Sequence, residues 1–469
     1  MRSFLLLITA FVFCLVLSGE SADAQYWHPQ RPQQVIPGYW RVQPGYPGTR
    51  PRTYGQPKYI NPGQPKYVTP SPTRTRKPST SHIPADAVTP EEAHKRFKRP
   101  KTNPPPKFDP ESIYPRIAGE FEQQNAIAIS LSEMLPGHKK VFLRVAELTH
   151  DHVQLLVLFN KTDQVVEALK VLQESDQPLD HVHFMRLKLD TVWLRDFGPI
   201  LAEQPDGLMC FDFFYNGQRP VDDNFPKEWA GITSVEHNAI PWTIQGGNLL
   251  SNGQGLALTT SRIFEDNKVN FPPAPGVDRV TEQRTFVLQQ FKAYTNLKRL
   301  VVLEPLHGES TRHVDMFASF VSPEEVLVAT VDGRRDPVNA AILERNVQRL
   351  RNVKVDGSPL KVRRIPMPVR RGTIWSPYTN VIIANKLVMM PVMSGDDRSM
   401  VKKAVNVWRR ALPDHRVATV DVSTMEKLQG ALHCMSIHIP EYAPLPKKKM
   451  VSYERATKWA VKKELIAEK

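Results

Sequence analysis

Residues 281–315 read TEQRTFVLQQFKAYTNLKRLVVLEPLHGESTRHVD. The stretch predicts a helix from Thr281 to Tyr294, and the apolar run Leu300-Val301-Val302-Leu303 predicts a strand. A loop follows and ends in His313 and Asp315, two side chains that can move protons or hold charge. The same order recurs elsewhere in the chain. A helix carrying Val165, Val166, Leu169 and Leu172, with Thr162 or Asp163 as its cap, leads to a strand at Val182–Leu187 and then to Asp196. Val338–Val353 leads to Leu360-Lys361-Val362 and Asn380, and Arg398–Leu412 leads to Val417–Val420 and Cys434. Counted from Asp163, Thr281, Val338 and Arg398, the polar residue comes 33, 32, 42 and 36 positions later. Repeated units of this kind stack or ring around an axis, so four polar groups are expected to converge on one centre. Val153–Leu158 is a further short apolar strand before the first of these helices, and Ala126–Leu131 and a hairpin around 244–260 lie outside the four units.

Outside this α/β region, which runs from about residue 112, the texture differs. The chain has 469 residues, a net charge of +14, 42 prolines and three cysteines. Its 41% hydrophobic and 23% charged content is ordinary for a soluble protein and excludes a polytopic membrane protein, a collagen and a coiled coil. Residues 1–24 have the layout of a secretory signal: Arg2, an apolar run from Phe4 to Leu17, and Ala22-Asp23-Ala24 as the cleavage site. A mature chain starting near Gln25 is expected, in a secreted, periplasmic or cell-envelope location. An uncleaved anchor is the alternative. Cys14 would leave with the signal, so the exported chain would keep only Cys210 and Cys434.

Residues 25–110 hold 15 Lys and Arg against four Asp and Glu, together with 19 of the 42 prolines. Gly55-Gln56-Pro57-Lys58-Tyr59 recurs as Gly63-Gln64-Pro65-Lys66-Tyr67. Proline at this density removes backbone donors and favours extended conformations, and the segment has no apolar periodicity with which to build a core. Residues 25–111 are therefore expected to be a disordered basic arm. Its Lys95-Arg96-Phe97-Lys98-Arg99 run could meet an anionic surface polymer, or be only a solvated spacer; no specific nucleic acid is predicted. The stretch 446–469, with Lys447-Lys448-Lys449, is expected to be a basic tail or outer helix.

The convergent residues limit the chemistry. A cysteine attacks as its thiolate, and a nearby imidazole or a cationic substrate stabilises that form. Histidine can protonate a leaving amine and then take a proton from water. Two carboxylates, Asp196 and Asp315, would repel the oxyanion of an amide hydrolysis but suit a planar cation. Guanidinium fits, because carboxylates can take its N–H groups pairwise and leave its carbon open to sulfur. Cys434 would displace ammonia, and water activated by His313 would release a ureido product. No cofactor and no metal is required.

These residues also carry a resemblance. Trp193-Leu194-Arg195-Asp196-Phe197-Gly198-Pro199 resembles the W-x-R-D-x-G-P signature of the agmatine deiminase and bacterial (Porphyromonas-type) peptidylarginine deiminase group, in the guanidino-group-modifying superfamily. Gly246-Gly247-Asn248, His313-Val314-Asp315, Tyr378-Thr379-Asn380 and Leu432-His433-Cys434 resemble its later motifs in the same order. The resemblance implies a five-bladed pseudo-symmetric α/β propeller, or pentein, over residues 112–445, with the substrate at its axis. It implies Cys434 as nucleophile, His313 as general acid and base, Asp196 and Asp315 as guanidinium clamps, and Asn380 in support. Trp193, Arg219 and Gly247 would border the substrate, an arginine-containing peptide or protein or a small guanidino compound.

Two details lean toward peptidylarginine. Agmatine and free-arginine enzymes of the group usually carry Glu before the Gly-Gly pair, where this chain has Gln245. Tyr215-Asn216-Gly217-Gln218-Arg219-Pro220 resembles Y-N-R-P-R-P, whose two arginines hold the carboxylate of a C-terminal arginine. Arg219 is the second of these, and Gly217 stands in place of the first. One missing fork removes roughly 1.5 to 3 kcal/mol, so internal arginines or another guanidine become acceptable.

Plainer readings of the same residues stay open. Asp196 could pair with Arg195, Asn380 could satisfy a turn, Trp193 could be core, and Gly246-Gly247 could be a hairpin. Cys434 could form a disulfide with Cys210. If His313-Val314-Asp315 were a strand, His313 and Asp315 would share a face and could hold a metal; His181-Val182-His183 is read as surface or core polarity. An amidinotransferase, an agmatine deiminase and a non-enzymatic surface-binding protein are the competing functions.

Overall fold

The computed structural model describes residues 105–215, 219–267, 279–428 and 430–468. The expected signal sequence at 1–24, nearly all of the expected basic arm at 25–111, and Asn216, Gly217 and Gln218 lie outside the described residues. From its N-terminal end the described chain runs β1 (Arg116–Ile117), β2 (Gln124–Ser130), α1 (Lys139–Thr149), β3 (Gln154–Phe159), α2 (Thr162–Leu172), β4 (Val182–Arg186) and the single turn α3 (Leu194–Phe197). Next come β5 (Ile200–Gln204), β6 (Gly207–Phe214), α4 (Pro220–Asp223), α5 (Phe225–Thr233) and β7 (Glu236–Thr243). Then follow β8 (Leu250–Ser251), β9 (Leu256–Thr260), α6 (Arg262–Asp266), α7 (Arg279–Thr295) and β10 (Arg299–Leu303). The next passage is β11 (Ala318–Ser322), β12 (Glu325–Thr330), α8 (Pro337–Arg351), the small hairpin β13 (Lys354–Val355) and β14 (Ser358–Pro359), and β15 (Lys361–Pro366). The last elements are β16 (Ile382–Ala384), β17 (Leu387–Val392), α9 (Arg398–Ala411), β18 (Arg416–Asp421), β19 (Ser436–Pro440), β20 (Met450–Ser452) and α10 (Tyr453–Lys462).

One pairing rule repeats through these passages. An antiparallel pair is followed by a helical crossover to a strand parallel to the second member: β5-β6 then β7, β8-β9 then β10, β11-β12 then β15, and β16-β17 then β18. The fifth instance joins the two ends of the described chain. β19 pairs antiparallel with β2, Ser436 facing Ile129, and β2 pairs parallel with β3. The fold is thus α/β, with five mixed sheets of this kind among the described residues, none closed on itself. The sequence reading found the helix and last strand of three of these units; its fourth, α2 followed by β4, is a further parallel crossover in the fifth sheet, and it passed over α1 and the unit β5-β6-α5-β7.

Local chemistry explains the elements. β2 and β3 are buried along most of their length, because helices and neighbouring strands cover them, and their sequences QNAIAIS and QLLVLF are correspondingly apolar. α9 buries Ala404, Val407 and Trp408 and turns Arg398, Lys402, Lys403, Arg409 and Arg410 outward. At α2 the cap differs from expectation: Lys161 is the N-cap, and Gln164 Oε1 accepts from the Asn160 and Lys161 backbone N–H groups at 2.8 and 3.0 Å. Thr162 and Asp163 are already helical. The 446–469 stretch is not set apart, since β20 pairs with β4, Met450 facing Met185, and α10 buries Ala456 and Ala460. Among the described residues no helix is long and apolar enough to cross a membrane.

Buried polar side chains fix the loops that leave the parallel strands. Asp222 Oδ1 accepts from Asp190 N at 2.7 Å, and Asp222 Oδ2 from Thr191 Oγ1 at 2.9 Å, holding the loop before α3. Asn267 spans Thr243 N and O, both at 2.7 Å, where β7 ends. From α8, Asn346 accepts from Glu304 N and Asn339 from His307 N at 2.8 and 2.7 Å, beyond β10. Trp408 Nε1 donates to Tyr378 O at 2.9 Å, anchoring the loop before β16. Each group would be costly to bury unpaired, so these contacts specify where the loops run.

Candidate active site

Asp196 lies in α3, whose turn is closed by Asp196 N donating to Trp193 O at 3.1 Å and Gly198 N to Leu194 O at 2.7 Å. Arg195 N donates to Cys434 O at 3.1 Å, which ties the turn to the segment before β19. Gly246–Asn248 form a 3-10 turn after β7, so the Gly-Gly pair is not a hairpin. A methyl group at Gly247 would lie 2.7 Å from His313 Nδ1, 2.9 Å from Asp196 Oδ1 and 3.0 Å from Asp315 Oδ2. Only glycine lets three loops come this close. Asn248 Oδ1 accepts from Thr260 N at 3.1 Å and from Val314 N at 3.2 Å, which sets the position of the next loop.

His313 precedes a second 3-10 turn, Val314–Met316, that holds Asp315. The strand geometry needed for the metal reading of His313-x-Asp315 is therefore absent. Asp315 Oδ2 accepts from Asn380 Nδ2 at 3.0 Å and lies 2.8 Å from His433 Nδ1. Asn380 Nδ2 is also 3.3 Å from Cys434 Sγ, and that sulfur is 3.8 Å from Asp315 Oδ2. His313 Nδ1 lies 3.6 Å from Asp196 Oδ1. The structure thus brings together Cys434, His313, Asp196, Asp315, Asn380 and Gly247. Cys210 and Cys434 are both free thiols, so the disulfide alternative does not hold.

Burial governs the charge states. Residue exposure is 1% at His313 and Asp315, 3% at Cys434 and 8% at Asp196. Burial, and then the Asp315 charge, push the Asp196 carboxyl up to about 7, against Arg262 and Arg195. Burial followed by Asp315 and Asp196 pushes the Cys434 thiol well above its ordinary range. Burial, Arg262 and His433 hold the His313 imidazole well below its ordinary range, leaving it neutral and able to accept a proton. Asp196 Oδ1, Asp315 Oδ1 and both His313 nitrogens have no hydrogen-bond partner in the protein. Such groups are expensive to bury unless a ligand supplies their partners, and a cation bearing several N–H groups supplies them best.

Two expected substrate contacts stand differently. Trp193 is half-buried and packs against two apolar clusters, its ring so near Gly430 that a methyl there would lie 2.2 Å from Cζ3; it is partly a core residue. Arg219 Nη1 is 3.5 Å from Tyr215 Oη, and the Tyr215 ring packs on Phe197 at 5.5 Å between centroids, so Arg219 joins the site only through neighbours. Arg195 does not pair with Asp196; its Nη1 is 2.6 Å from Glu120 Oε1 and its Nη2 2.6 Å from His438 Nδ1.

Glu120, His433 and His438 form a second cluster, its histidines buried and its carboxylate half-buried, that sequence reasoning missed. His433 adjoined Cys434 in a motif, but nothing in the chain pointed to Glu120, 313 positions away. Their ligand atoms lie close enough together to hold a cation. The Arg195 guanidinium already fills that role, donating to Glu120 and to His438 Nδ1, while His438 Nε2 donates to Ile383 O at 2.8 Å.

Residues 116–440 match the family model for Porphyromonas-type peptidyl-arginine deiminases. The chain belongs to that family. Like the structures it resembles, this Porphyromonas-type deiminase has an α/β architecture. It superimposes on agmatine deiminase of Enterococcus faecalis with a TM-score of 0.59, at 20% identity over 70% of this chain and 96% of that one. For C. jejuni agmatine deiminase the TM-score is 0.57, at 18% identity over 69% and 95% of the two chains. A relative from Vibrio parahaemolyticus, provisionally named as an agmatine deiminase, is 20% identical over 344 residues, 66% of this chain and 89% of its own. The deiminase is therefore an enzyme acting on guanidino groups.

Proposed function

We propose that this deiminase converts peptidylarginine to peptidylcitrulline and ammonia through a covalent intermediate on Cys434. The observation that carries the reading is the pair of buried carboxylates, Asp196 and Asp315, each with an oxygen unpartnered, beside a thiol and a neutral imidazole. The arriving guanidinium offsets both negative charges, which removes the repulsion holding the proton on sulfur. His313 takes that proton as sulfur bonds to the guanidinium carbon, and gives it to the departing nitrogen, so ammonia leaves an amidinium thioether. Water then adds to the same carbon while His313 removes one of its protons. The C–S bond breaks, the second water proton goes to sulfur, and the ureido product departs. The imidazolium finally passes its proton to ammonia, so the sum is guanidinium plus water giving urea plus ammonium.

Asn380 holds Asp315 and Cys434 in one frame, Gly247 leaves the space the clamp needs, and Trp193 flanks the substrate's methylenes. Gln245 in place of a carboxylate disfavours the second amino group of agmatine, and Arg219 offers one fork to a carboxylate beside the arginine. We also infer that the five units are blades around this site. Export after cleavage near Gln25, with the basic arm on an anionic surface polymer, rests on sequence composition alone. A ureido-product assay on internal and C-terminal arginine peptides, free arginine and agmatine tests the substrate. Peptides are expected to turn over at least tenfold faster than agmatine in kcat/KM; the reverse order would make this an agmatine deiminase. An amidinotransferase would instead release no ammonia.

A further inference from the structure

Asp315 uses its two oxygens differently. Oδ2 faces Asn380 Nδ2 at 3.0 Å and His433 Nδ1 at 2.8 Å, whereas Oδ1 has no partner. The Asn380 amide is oriented by its own oxygen, which accepts from His433 N at 3.1 Å, so its nitrogen must be the atom toward Asp315. Across the ring, His433 Nε2 is 2.8 and 3.0 Å from the two Glu120 oxygens. An imidazole with carboxylate oxygens at both nitrogens donates from both only as the doubly protonated cation.

We propose that His433, an imidazolium fixed between Asp315 and Glu120, is a positioning residue that pins Asp315 Oδ2 and leaves Oδ1 for the substrate guanidinium. Glu120 is itself anchored by Arg195 Nη1 at 2.6 Å. The charged and titratable groups around the ring are Asp315, Glu120, Arg195, His438, His313, Asp196 and Cys434, with the His438 ring 6.2 Å away between centroids. Three of these are carboxylic acids, and Arg195 is the permanent cation beside the ring; Arg262 also acts on Asp196 and His313, but its own guanidinium is engaged by Asp266 and Thr311 O, so a charged His433 adds a positive charge directly against Asp315. Burial and Arg195 oppose a proton on His433, but Glu120 and Asp315 outweigh them and raise its basicity. This inference rests on the deiminase reading, because it assigns Oδ1 to the guanidinium.

His433→Asn keeps a donor toward Asp315 but removes the charge. Without the cation the neighbouring carboxyls hold protons more tightly, so the acid limb of kcat/KM is expected to move up by about one pH unit, roughly a tenfold loss below that limb. Glu120→Gln is expected to move it the same way by less, and carries the test if His433→Asn does not fold. A residue that only packs would lower kcat/KM by one factor at every pH, and such parallel profiles for both variants would overturn the proposal. Independently of turnover, nitrogen NMR of the full-length protein with labelled histidine is expected to find the His433 ring still doubly protonated when the exposed histidines of the same protein have become neutral. A neutral ring there overturns the inference alone. A wild type that makes no ureido product from any guanidine overturns the deiminase reading, and with it the task given to Asp315.

Discussion

Gly247 shows how one missing side chain can build a site. Its Cα stands where a methyl would touch His313, Asp196 and Asp315 within 3.0 Å. Gly247→Ala is therefore expected to push these groups apart and lower kcat/KM by about 100-fold, with only a modest change in stability, read by steady-state kinetics beside thermal denaturation. Asp196 makes a sharper test because its charge state differs between the folded and unfolded chain. Its folded value is raised from 3.8 to about 7. The proton it keeps favours the fold fully below about pH 4, and that stability is lost as pH rises through about 7. Asp196→Asn should therefore change stability little at pH 4 but raise it above pH 7 by about 4 kcal/mol, while abolishing turnover. Equal effects in urea denaturation at the two pH values would contradict this electrostatic account. Of the candidate site residues, Asp196, His313, Asn380 and Cys434 were legible in the sequence because each follows a helix and a strand at a similar offset, and Asp315 because it stands beside His313, whereas Gly247 was reached only through the motif resemblance. Glu120 was not legible, since its partner His433 is reached only through the pairing of β19 with β2.

At the scale of elements, α8 and α9 each cover a sheet and hold the loop that delivers a site residue. α9 does so through Trp408, whose Nε1 donates to Tyr378 O, two residues before Asn380. Trp408→Phe keeps most of the packing but leaves that buried carbonyl unpaired. A loss of about 1 to 3 kcal/mol in urea denaturation is expected, with a fall in kcat as Asn380 shifts; unchanged kcat would separate the anchor from the site. Helices α2, α7, α8 and α9 were legible because they run 11 to 17 residues with apolar spacing. α5 was not. It has nine residues with Pro226 in its first turn, and β7 behind it carries Glu236, His237 and Pro241, so neither periodicity nor β-branched content marked the unit. Its burial comes from tertiary packing of Phe225, Trp229 and Ala230, which a local pattern does not reveal.

For the whole molecule, a repeat that begins at β2 and ends at β19 needs its two ends paired, and the antiparallel register of those strands provides that. Cys434 stands just before the joining strand, so the proposed nucleophile depends on the integrity of the entire repeat. The site residues named above all lie between Glu120 and His438, downstream of the Pro-rich segment in the sequence. Removing residues 1–104 is expected to leave kcat/KM on a small arginine peptide within about twofold, measured by ureido formation, and a larger loss would give the segment a part in catalysis. The most direct test of the central claim is acid quenching during turnover of an arginine peptide, followed by mass spectrometry of the Cys434 peptide. The account expects an amidino adduct on that sulfur in the wild type, and neither adduct nor citrulline in Cys434→Ala. Citrulline formed by Cys434→Ala, or an adduct on another residue, would contradict it.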